Sequence, residues 1–255
     1  KIKVKCPDIN KSGVTFKLEG KDILFPLSSV RGISGVTVTN ILSERENGPF
    51  KDLFDFVIRM SKYRFADAQL MNLIDAGAFD SIEPSRASLR INVPNALSYA
   101  GALLDDQGLV SIDPNFLPKP IMNKVDDDFM DNLNREFNSL GLMVSGSPLD
   151  AYEKEIKALK AVKLDQIDNT SGNIKVVGIV KNVKKITTKK KQQMAFVTIY
   201  DDTCEKELTV FADAFEKSSS VLKKNNIVVV DGYFRSLKQE FSIIQITKLE
   251  ANKHE

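Results

Sequence analysis

The chain has 255 residues, of which 42% are hydrophobic and 27% charged, as in ordinary folded proteins. No run of about 18 apolar residues predicts a membrane span, and no leader pattern marks a secretory segment, so we expect a cytoplasmic protein. Cys6 and Cys204 lie far apart without companion histidines, so neither a zinc site nor a disulfide framework is indicated.

The net charge of +2 conceals a division along the chain. Residues 1–100 carry 14 basic and 11 acidic side chains, residues 101–172 carry 7 and 13, and residues 173–255 carry 15 and 10. Basic regions therefore flank an acidic middle. In a nucleic-acid-binding protein this pattern predicts two contact surfaces, separated by a segment that avoids phosphate and is suited to a protein partner.

The first part of the chain predicts a short β region followed by helices. Three β segments are expected at Ile2–Val4, Val14–Leu18 and Ile23–Phe25. The pattern is helical from Ser28 to about Ala102, with breaks at Gly32–Gly35, at Asn47-Gly48-Pro49, at Gly77 and at Pro84. The proline-rich stretch Asp105–Lys124 reads as a linker, and helices follow at Asp126–Leu140 and Pro148–Lys160.

The last part predicts a five-stranded OB-type barrel. β-branched and aromatic residues cluster between turn signals at about Lys175–Ile186, Met194–Asp202, Glu205–Ala212, Ile227–Ser236 and Phe241–Glu250, with a helix at about Asp213–Lys224. The predicted fold class is therefore α+β and multidomain: a small β region, an α-helical region and a C-terminal OB-fold barrel.

The second of these strands, with the loop before it, predicts a single-stranded nucleic-acid surface. An OB-fold ligand lies across strands 2 and 3. Alternation assigns Ala195, Val197 and Ile199 to the core and leaves Phe196, Thr198 and Tyr200 on the other face to stack on bases. Alternatively, Phe196 is a core residue and the lysines of the loop only solvate a hairpin. The predicted contact residues are Lys184, Lys185, Lys189, Lys190, Lys191, Phe196, Thr198, Tyr200, Arg235 and Lys238.

A second candidate surface is the stretch Val30–Val36, which matches the hairpin of a helix-hairpin-helix element between two predicted helices. Glycines at 32 and 35 allow close backbone approach, and the amides of the next helix hold a phosphate oxygen. Ser34 and Thr37 add hydroxyl donors. The alternative is a plain helix corner in which Gly32 or Gly35 supplies a positive φ.

Catalysis is not expected from these residues. Asp201-Asp202 falls at a predicted turn, where aspartate favours the turn for backbone reasons. Asp126-Asp127-Asp128 opens a helix, and neither group has a third acidic partner for a two-metal site. His254 is the single histidine, and no glycine-rich phosphate loop occurs.

Several separated motifs together resemble the C-terminal region of the bacterial replicative DNA polymerase III alpha subunit, a C-family polymerase. They are Pro7–Ser12, Gly32–Gly35, Arg45–Phe50, Asp75–Asp80 with Arg86, Leu140-Gly141, Ser145–Leu149, and Thr188–Lys190 leading into Met194–Phe196. The family usually has histidine where this chain has Ser147. It usually has glycine where this chain has Lys191, so we expect a more basic and less tightly turned loop.

The resemblance implies five regions: the end of the fingers domain at 1–27, a helix-hairpin-helix region at 28–104, a linker at 105–125, a helical connector at 126–172 and the OB domain at 173–255. The chain opens at Lys1 in mid-pattern, so we expect a piece of a longer protein. The palm with its metal-binding aspartates would lie upstream, so this piece would be no enzyme and would hold no cofactor, whereas the parent would polymerise DNA with magnesium.

The resemblance also implies partners. It suggests a protein that grips duplex and single-stranded DNA and contacts the sliding clamp, with the clamp loader a further candidate. No heptad seam suggests self-association, so we expect a monomer. The family carries a clamp-binding peptide before the OB domain, and its nearest counterpart here comprises Gln107, Leu109, Val110 and Ile112, which lack the terminal aromatic residue. The alternative is that these four residues belong to an ordinary linker.

Three other functions stay open at this point. The barrel also resembles the anticodon-binding OB domain of class II aminoacyl-tRNA synthetases, which would make it an RNA-binding module. The chain could instead serve purely as a protein-interaction hub for the clamp and its loader. Catalysis by this piece alone would depend on Asp201 and Asp202.

Overall fold

The computed structural model describes residues 2–105, 110–113 and 116–250. The chain divides into two compact units, Lys1–Ser147 and Pro148–Glu255. This division falls inside the predicted connector at 126–172. Within the described ranges, no helix is both long and apolar enough to cross a bilayer.

The first unit begins with a small three-stranded sheet. Its strands are β1 (Val4–Lys5), β2 (Lys17–Glu19) and β3 (Asp22–Leu24), in the order β1-β3-β2. β3 pairs parallel to β1 and antiparallel to β2. The predicted β segments are therefore confirmed to within a few residues, and they share one sheet.

Five helices complete the described part of the first unit. They are α1 (Gly35–Arg45), α2 (Leu53–Met60), α3 (Asp67–Asp75), α4 (Arg86–Leu103) and α5 (Phe129–Leu140). Four of these begin at a cap residue whose side-chain oxygen accepts a hydrogen bond from a backbone amide in the first turn. The cap residues are Ser34, Asp52, Ser85 and Asp128. One further break escaped sequence reasoning: a 3-10 turn at Ser61–Tyr63 is followed by Arg64 at φ 52°.

Aromatic residues fill the core of the first unit. The buried ring of Phe56 meets Phe50, Phe65 and Phe79 edge to face, with centroids 4.9, 5.3 and 5.1 Å away. Aromatic pairs of this geometry contribute about 0.5–1.5 kcal/mol beyond the area they bury. This cluster joins the segment after α1 to α2 and to the turn after α3.

A buried charged network, centred on Arg86, ties the remaining segments together. Arg86 is 4% exposed; its Nη2 donates to Asp80 at 2.6 Å and its Nη1 to Glu136 at 2.7 Å. Nη1 also donates to the carbonyl of Asp75 at 3.2 Å. Gly77, at φ 81°, leaves the space that the guanidinium fills, because a Cβ there would come within 2.2 Å of Nη2.

The same network fixes the ionisation of its neighbours. Burial raises the pKa of Glu136, but hydrogen bonds from Arg86 and from Ser145 more than offset that effect and hold the pKa below its usual value. Burial, reinforced by the Glu136 carboxylate, raises the pKa of Cys6 to about 12. The raised pKa favours the neutral thiol, whose Sγ lies 3.6 Å from Glu136 Oε2.

The second unit is built on one antiparallel five-stranded sheet. Its strands are β4 (Gly172–Thr187), β5 (Gln193–Tyr200), β6 (Glu205–Val210), β7 (Ile227–Arg235) and β8 (Glu240–Lys248), in the order β6-β5-β4-β7-β8. The helices α6 (Glu153–Ala158) and α7 (Ala212–Ser218) accompany 3-10 segments at Pro148–Tyr152 and Leu164–Asn169.

The strand order is that of an OB fold, but the sheet is not closed. β6 and β8 are its two edges and share no ladder of hydrogen bonds. The predicted barrel is thus an open one. The long first strand bends at a register shift between Val180 and Asn182, so β7 pairs with its first half and most of β5 with its second.

Apolar clusters cover both faces of this sheet. Ala195, Val197 and Ile199 are fully buried in the inner cluster, which confirms the core assigned from alternation. The outer face carries a smaller cluster of Leu149, Val177, Ile179, Ile227, Val229 and Leu249. Residues of the helical segment 148–161 pack onto this second cluster, so one half of the outer face is covered.

We expect replacement of Arg86 by methionine to destabilise the first unit by about 3–5 kcal/mol, because it leaves the Glu136 carboxylate buried without its cation. Thermal unfolding followed by circular dichroism measures the change. Arg135→Met is the control, because Arg135 makes an ion pair with Asp131 in which both side chains are more than 40% exposed. That variant should change stability by less than about 1 kcal/mol. Equal effects of the two substitutions would contradict this account.

Candidate nucleic-acid interface

The outer face of β5 presents Phe196, Thr198 and Tyr200, as alternation predicts. All three are partly exposed. Phe196 lies opposite Lys184 on β4 and Thr209 on β6, and it belongs to neither apolar cluster. An aromatic ring beside a lysine is the pairing that captures a base and its phosphate together.

Tyr200, at the other end of the strand, has different surroundings. It packs against the outer cluster that includes Ile179 and Tyr152, and burial raises the pKa of its hydroxyl. Sequence reasoning treated Tyr200 and Phe196 as equivalent stacking residues. The structure separates them, since Phe196 lies outside the clusters and Tyr200 supports the packing of the 148–161 segment.

Acidic residues also line this face, and sequence reasoning missed them. Glu207 lies opposite Thr198, and Glu205 lies opposite Tyr200 and makes an ion pair with Lys181. Both carboxylates come from β6, whose alternation places them on the outer face. The alternation of Glu205 and Glu207 is visible in the sequence, but assigning them to the face of Phe196 requires the register between β5 and β6.

The hairpin between β4 and β5 carries three exposed lysines. Its backbone closes through Thr188 N donating to Gln192 O at 2.8 Å and Lys191 N donating to Thr188 O at 2.9 Å. Lys191 adopts φ 60°, the left-handed region that favours glycine. The expectation of a looser turn is therefore wrong, because lysine accepts the strained conformation and the turn stays tight.

The other predicted cations are distributed around the sheet. Lys184 and Lys185 are exposed near the end of β4, and the Lys185 ammonium lies 5.9 Å from the ring centroid of Phe215. Arg235 and Lys238 are exposed at the β7–β8 turn, where Arg235 lies 3.6 Å from Glu240. The structure therefore places two of these cations beside Phe196's strand and two on a separate turn.

Phe211 is an aromatic residue that the sequence analysis overlooked. It directly follows β6 in extended backbone and is 57% exposed. Alternation from Glu207 through Thr209 places it on the outer face, diagonal to Phe196 across the strand pair. The alternation of the strand in the sequence would have been sufficient to predict that Phe211 lies on the outer face.

The hairpin at residues 30–36 forms a tight corner before α1. The element before it is a 3-10 turn at Leu27–Ser29 and not the helix that was predicted. Gly32 adopts φ 76°, and two side chains from α3 hold the corner: Gln69 donates to Gly32 O and Asn72 to Arg31 O, both at 2.9 Å. Gly32 thus supplies the positive φ that the plain-corner alternative required.

The start of α1 leaves two backbone donors open. Ser34 Oγ accepts from Thr37 N at 3.1 Å, and the two hydroxyls lie 3.0 Å apart, so both side chains stabilise the helix start. No described residue accepts from the amides of Gly35 or Val36, and both residues are exposed. Two free amides at a helix N-terminus form an anion-binding arrangement.

The start of α4 offers a contrast within the same unit. The carboxylate of Asp127 accepts from Arg86 N at 3.3 Å and from Ala87 N at 2.7 Å. An internal carboxylate therefore occupies the place that a phosphate would take. Asp128 caps α5 by accepting from Asp131 N at 2.7 Å, so two members of the acidic triplet are helix caps.

The Asp201-Asp202 pair sits at the β5–β6 turn, as predicted. The Asp201 carboxylate accepts from the amides of Leu164, Thr203 and Cys204 at 2.9, 2.8 and 3.1 Å. These bonds outweigh burial, which acts in the opposite direction, and lower the pKa of Asp201. Among the residues the structure describes, no group of three or more metal-binding side chains was found.

Of the four residues predicted to bind a clamp, Gln107 and Leu109 lie outside the described residues. Val110 and Ile112 are 59% and 43% exposed just beyond α4. Their segment folds back on the helix end, because Ser111 N and Ile112 N donate to Leu103 O at 2.9 and 3.3 Å. Two exposed apolar side chains thus lie on a short segment that is anchored to the end of α4.

Comparison with known proteins gives two family matches and a set of relatives. A family model described as a helix-hairpin-helix motif matches residues 1–89, and one described as an OB-fold nucleic acid binding domain matches residues 174–250. DNA polymerase III subunit alpha of Bacillus subtilis is 32% identical over 91% of this chain and 21% of its own length. The Thermus aquaticus protein of the same name is 33% identical over 88% of this chain and 19% of its own length. The Caulobacter vibrioides protein is 27% identical over 90% of this chain and 21% of its own length. The chain spans about a fifth of the length of these relatives.

Lys191→Gly should raise the free energy of unfolding by up to about 1 kcal/mol. A non-glycine residue in the left-handed region costs about 1–2 kcal/mol, and glycine removes that cost. Glycine also gives the unfolded chain more conformational entropy, which cancels part of the gain. Lys191→Ala removes the same charge but keeps the strain, so it is the matched control. Thermal melts of both variants give the comparison. A higher melting temperature for the alanine variant than for the glycine variant would refute the role of backbone strain.

Proposed function

Because this chain is related, over about nine tenths of its own length, to bacterial DNA polymerase III alpha subunits, we propose that it is the DNA-gripping part of such a subunit. In this proposal the first unit holds duplex product through backbone contacts, and the OB sheet captures unpaired template. The palm aspartates and the magnesium ions they hold lie elsewhere in the parent protein. This part therefore binds and positions DNA without catalysing its synthesis.

One observation carries the single-strand half of the proposal: Phe196 is partly exposed beside Lys184, at the base of a hairpin that carries three further exposed lysines. Base stacking on an aromatic ring is worth about 1–3 kcal/mol per base and tolerates any sequence. Lysines attract phosphates and release counterions. A replicative polymerase needs this sequence-tolerant grip.

The duplex half rests on the difference between two helix starts. The amides of Gly35 and Val36 are open at α1, whereas Asp127 fills the equivalent position at α4. A phosphate at the first start meets two donors and the positive end of the helix dipole. At the second it meets a carboxylate, so of these two helix starts the proposal places the duplex at α1.

Gly35→Pro tests the duplex contact with little change to the fold. Proline is favoured at the first helical position, Ser34 is already extended at ψ 163°, and a Cβ at Gly35 meets no atom within 4 Å. Removing one amide hydrogen bond to a phosphate should weaken duplex binding by about 1.5 kcal/mol, roughly tenfold. Gly35→Ala keeps the amide and is the control. Fluorescence anisotropy with a labelled duplex measures both, and equal affinities would remove α1 from the interface.

Phe196→Ala should weaken single-strand binding by about 1–3 kcal/mol with an unchanged salt slope, because it removes a stacking surface and no charge. Replacing Lys189 and Lys190 by alanine should lower the salt slope by about 0.7 for each phosphate that is no longer neutralised. Lys223→Ala with Lys224→Ala removes two exposed lysines from another loop and should change neither quantity. Anisotropy of a labelled strand across a salt series separates these effects.

Two outcomes of that titration would contradict the single-strand proposal. If the lysine variants keep the wild-type affinity and slope, the hairpin is a solvated loop. If structured tRNA binds more tightly than DNA strands of equal length, the OB domain serves RNA recognition instead.

Contact with the sliding clamp is the second function we propose, and the outward-facing Val110 and Ile112 favour it. Val110→Asp combined with Ile112→Asp should abolish binding to the clamp of the same organism, measured by surface plasmon resonance, because charged groups replace the apolar anchors. Ile121→Asp is the control, since Ile121 is 92% exposed in the same region. If both variants bind like wild type, residues 110–112 are ordinary linker, and contact with the clamp or its loader must use another surface.

A further inference from the structure

β6 and β8 share no ladder of hydrogen bonds, and we call the opening between these two edge strands the seam. The seam contains a cavity of about 270 Å³. Pockets for drug-sized ligands begin at about 300 Å³, so this cavity suits a smaller planar group. Phe234 is 1% exposed, and Phe241 packs on the inner cluster. Together they line the cavity on the inner side, and Phe211, 57% exposed, lines its outer lip.

The shape of the inner side of the cavity is set by the register of β7 and β8. Phe234 pairs with Phe241, so both rings lie on the inner face. Gly232, two residues earlier, leaves space for the Phe241 ring, because a Cβ at that position would come within 2.5 Å of it. The cavity is therefore a consequence of an unclosed sheet and a glycine that seats one aromatic ring.

The polar lining of the cavity is acidic. It includes Asp168, Lys206, Glu207 and Glu240. Lys206 Nζ lies 2.8 Å from each oxygen of Asp168, so this pair is neutralised. Glu207 makes no ion pair with a described residue, and Glu240 has only Arg235 at 3.6 Å. Two carboxylates at the seam are thus available as hydrogen-bond acceptors.

Carboxylates discriminate between bases because they only accept hydrogen bonds. Cytosine presents an amino group at its fourth position, whereas thymine and uracil present a carbonyl oxygen there. Two carboxylates that face this edge of a base therefore favour an amino group, which offers two donor hydrogens, over a carbonyl that is flanked by the single ring N–H donor of uracil or thymine. The location fits a bound strand, because Phe211 lies one diagonal step from Phe196 on the outer face.

We propose that the β6–β8 seam is a base-binding pocket that prefers amino-bearing bases, and that it receives one base of the single strand held on β5. Phe211 stacks on the entering base, and Glu207 and Glu240 accept from its amino group. The proposal rests on the single-strand function proposed above and adds a base preference to it.

A comparison of oligo-deoxycytidine with oligo-deoxyuridine tests the preference, because the two bases differ only in the group at position four and the adjacent ring proton. Strands of about 12 nucleotides match the site size of one OB fold. Fluorescence anisotropy at low salt and pH 8, with the whole chain, should show cytidine strands binding about fivefold more tightly, the lower range for one read base edge.

Variants at the seam locate the preference. Glu207→Gln with Glu240→Gln should bring the cytidine-to-uridine ratio to about one, while the affinity for uridine strands stays equal or rises because negative charge is removed. Phe211→Ala should weaken cytidine binding and lower the ratio. Phe196→Ala should weaken both strands by the same factor and leave the ratio unchanged, because Phe196 lies outside the cavity.

The outcomes separate this inference from the function it rests on. If both strands bind with equal affinity, the pocket is wrong and the single-strand function stands. If cytidine is preferred but the ratio survives the glutamine variants and Phe211→Ala, the preference arises elsewhere and the seam is excluded. If neither strand binds at low salt, both proposals fail.

Discussion

The Arg86 guanidinium is 4% exposed and is shared by carboxylates from two other segments, Asp80 after α3 and Glu136 in α5. Glu136 in turn accepts from the amides of Val144 and Ser145, so the network also fixes the end of the first unit. Removing Arg86 would leave the Glu136 carboxylate charged and buried, and removing Glu136 would leave the buried guanidinium with one carboxylate fewer, so the two side chains depend on each other. This centre positions the start of α4 and the end of α3, because Arg86 is the first residue of α4 and donates to the carbonyl of Asp75, the last residue of α3.

Local patterns in the sequence were sufficient where the determining contacts are local. The strands of the second unit and the core set Ala195, Val197 and Ile199 follow from a period of two, and the helix breaks at 47–49, Gly77 and Pro84 follow from glycine and proline. Contacts between residues distant in sequence were not predictable in this way. Asp127 caps a helix that begins 41 residues earlier, and the 148–161 segment covers the outer sheet face at Tyr200. Both depend on tertiary packing, which periodicity does not encode.

The starts of α1 and α4 show how one local structure occurs in two different surroundings. Each begins at a serine cap, Ser34 or Ser85, and each leaves donors at its first amides. At α4 a carboxylate satisfies them internally and stabilises the fold. At α1 they stay open beside an exposed glycine hairpin. The sequence motif around Gly32 and Gly35 indicates a corner in both interpretations, and the free amides at α1 are the feature on which our proposal of a phosphate contact rests.

In the second unit the unpaired edges of the sheet leave backbone groups open, as the start of α1 does in the first unit. In a closed sheet the two edge strands would hydrogen-bond to each other. β6 and β8 instead share no ladder of hydrogen bonds, and the acidic side chains that discourage pairing with another strand also line the opening between them. Negative charge at this point weakens the general attraction for phosphate that the hairpin lysines provide. A surface that only captured strands without regard to sequence would bind more tightly without those carboxylates, and their presence is explained if the seam reads a base.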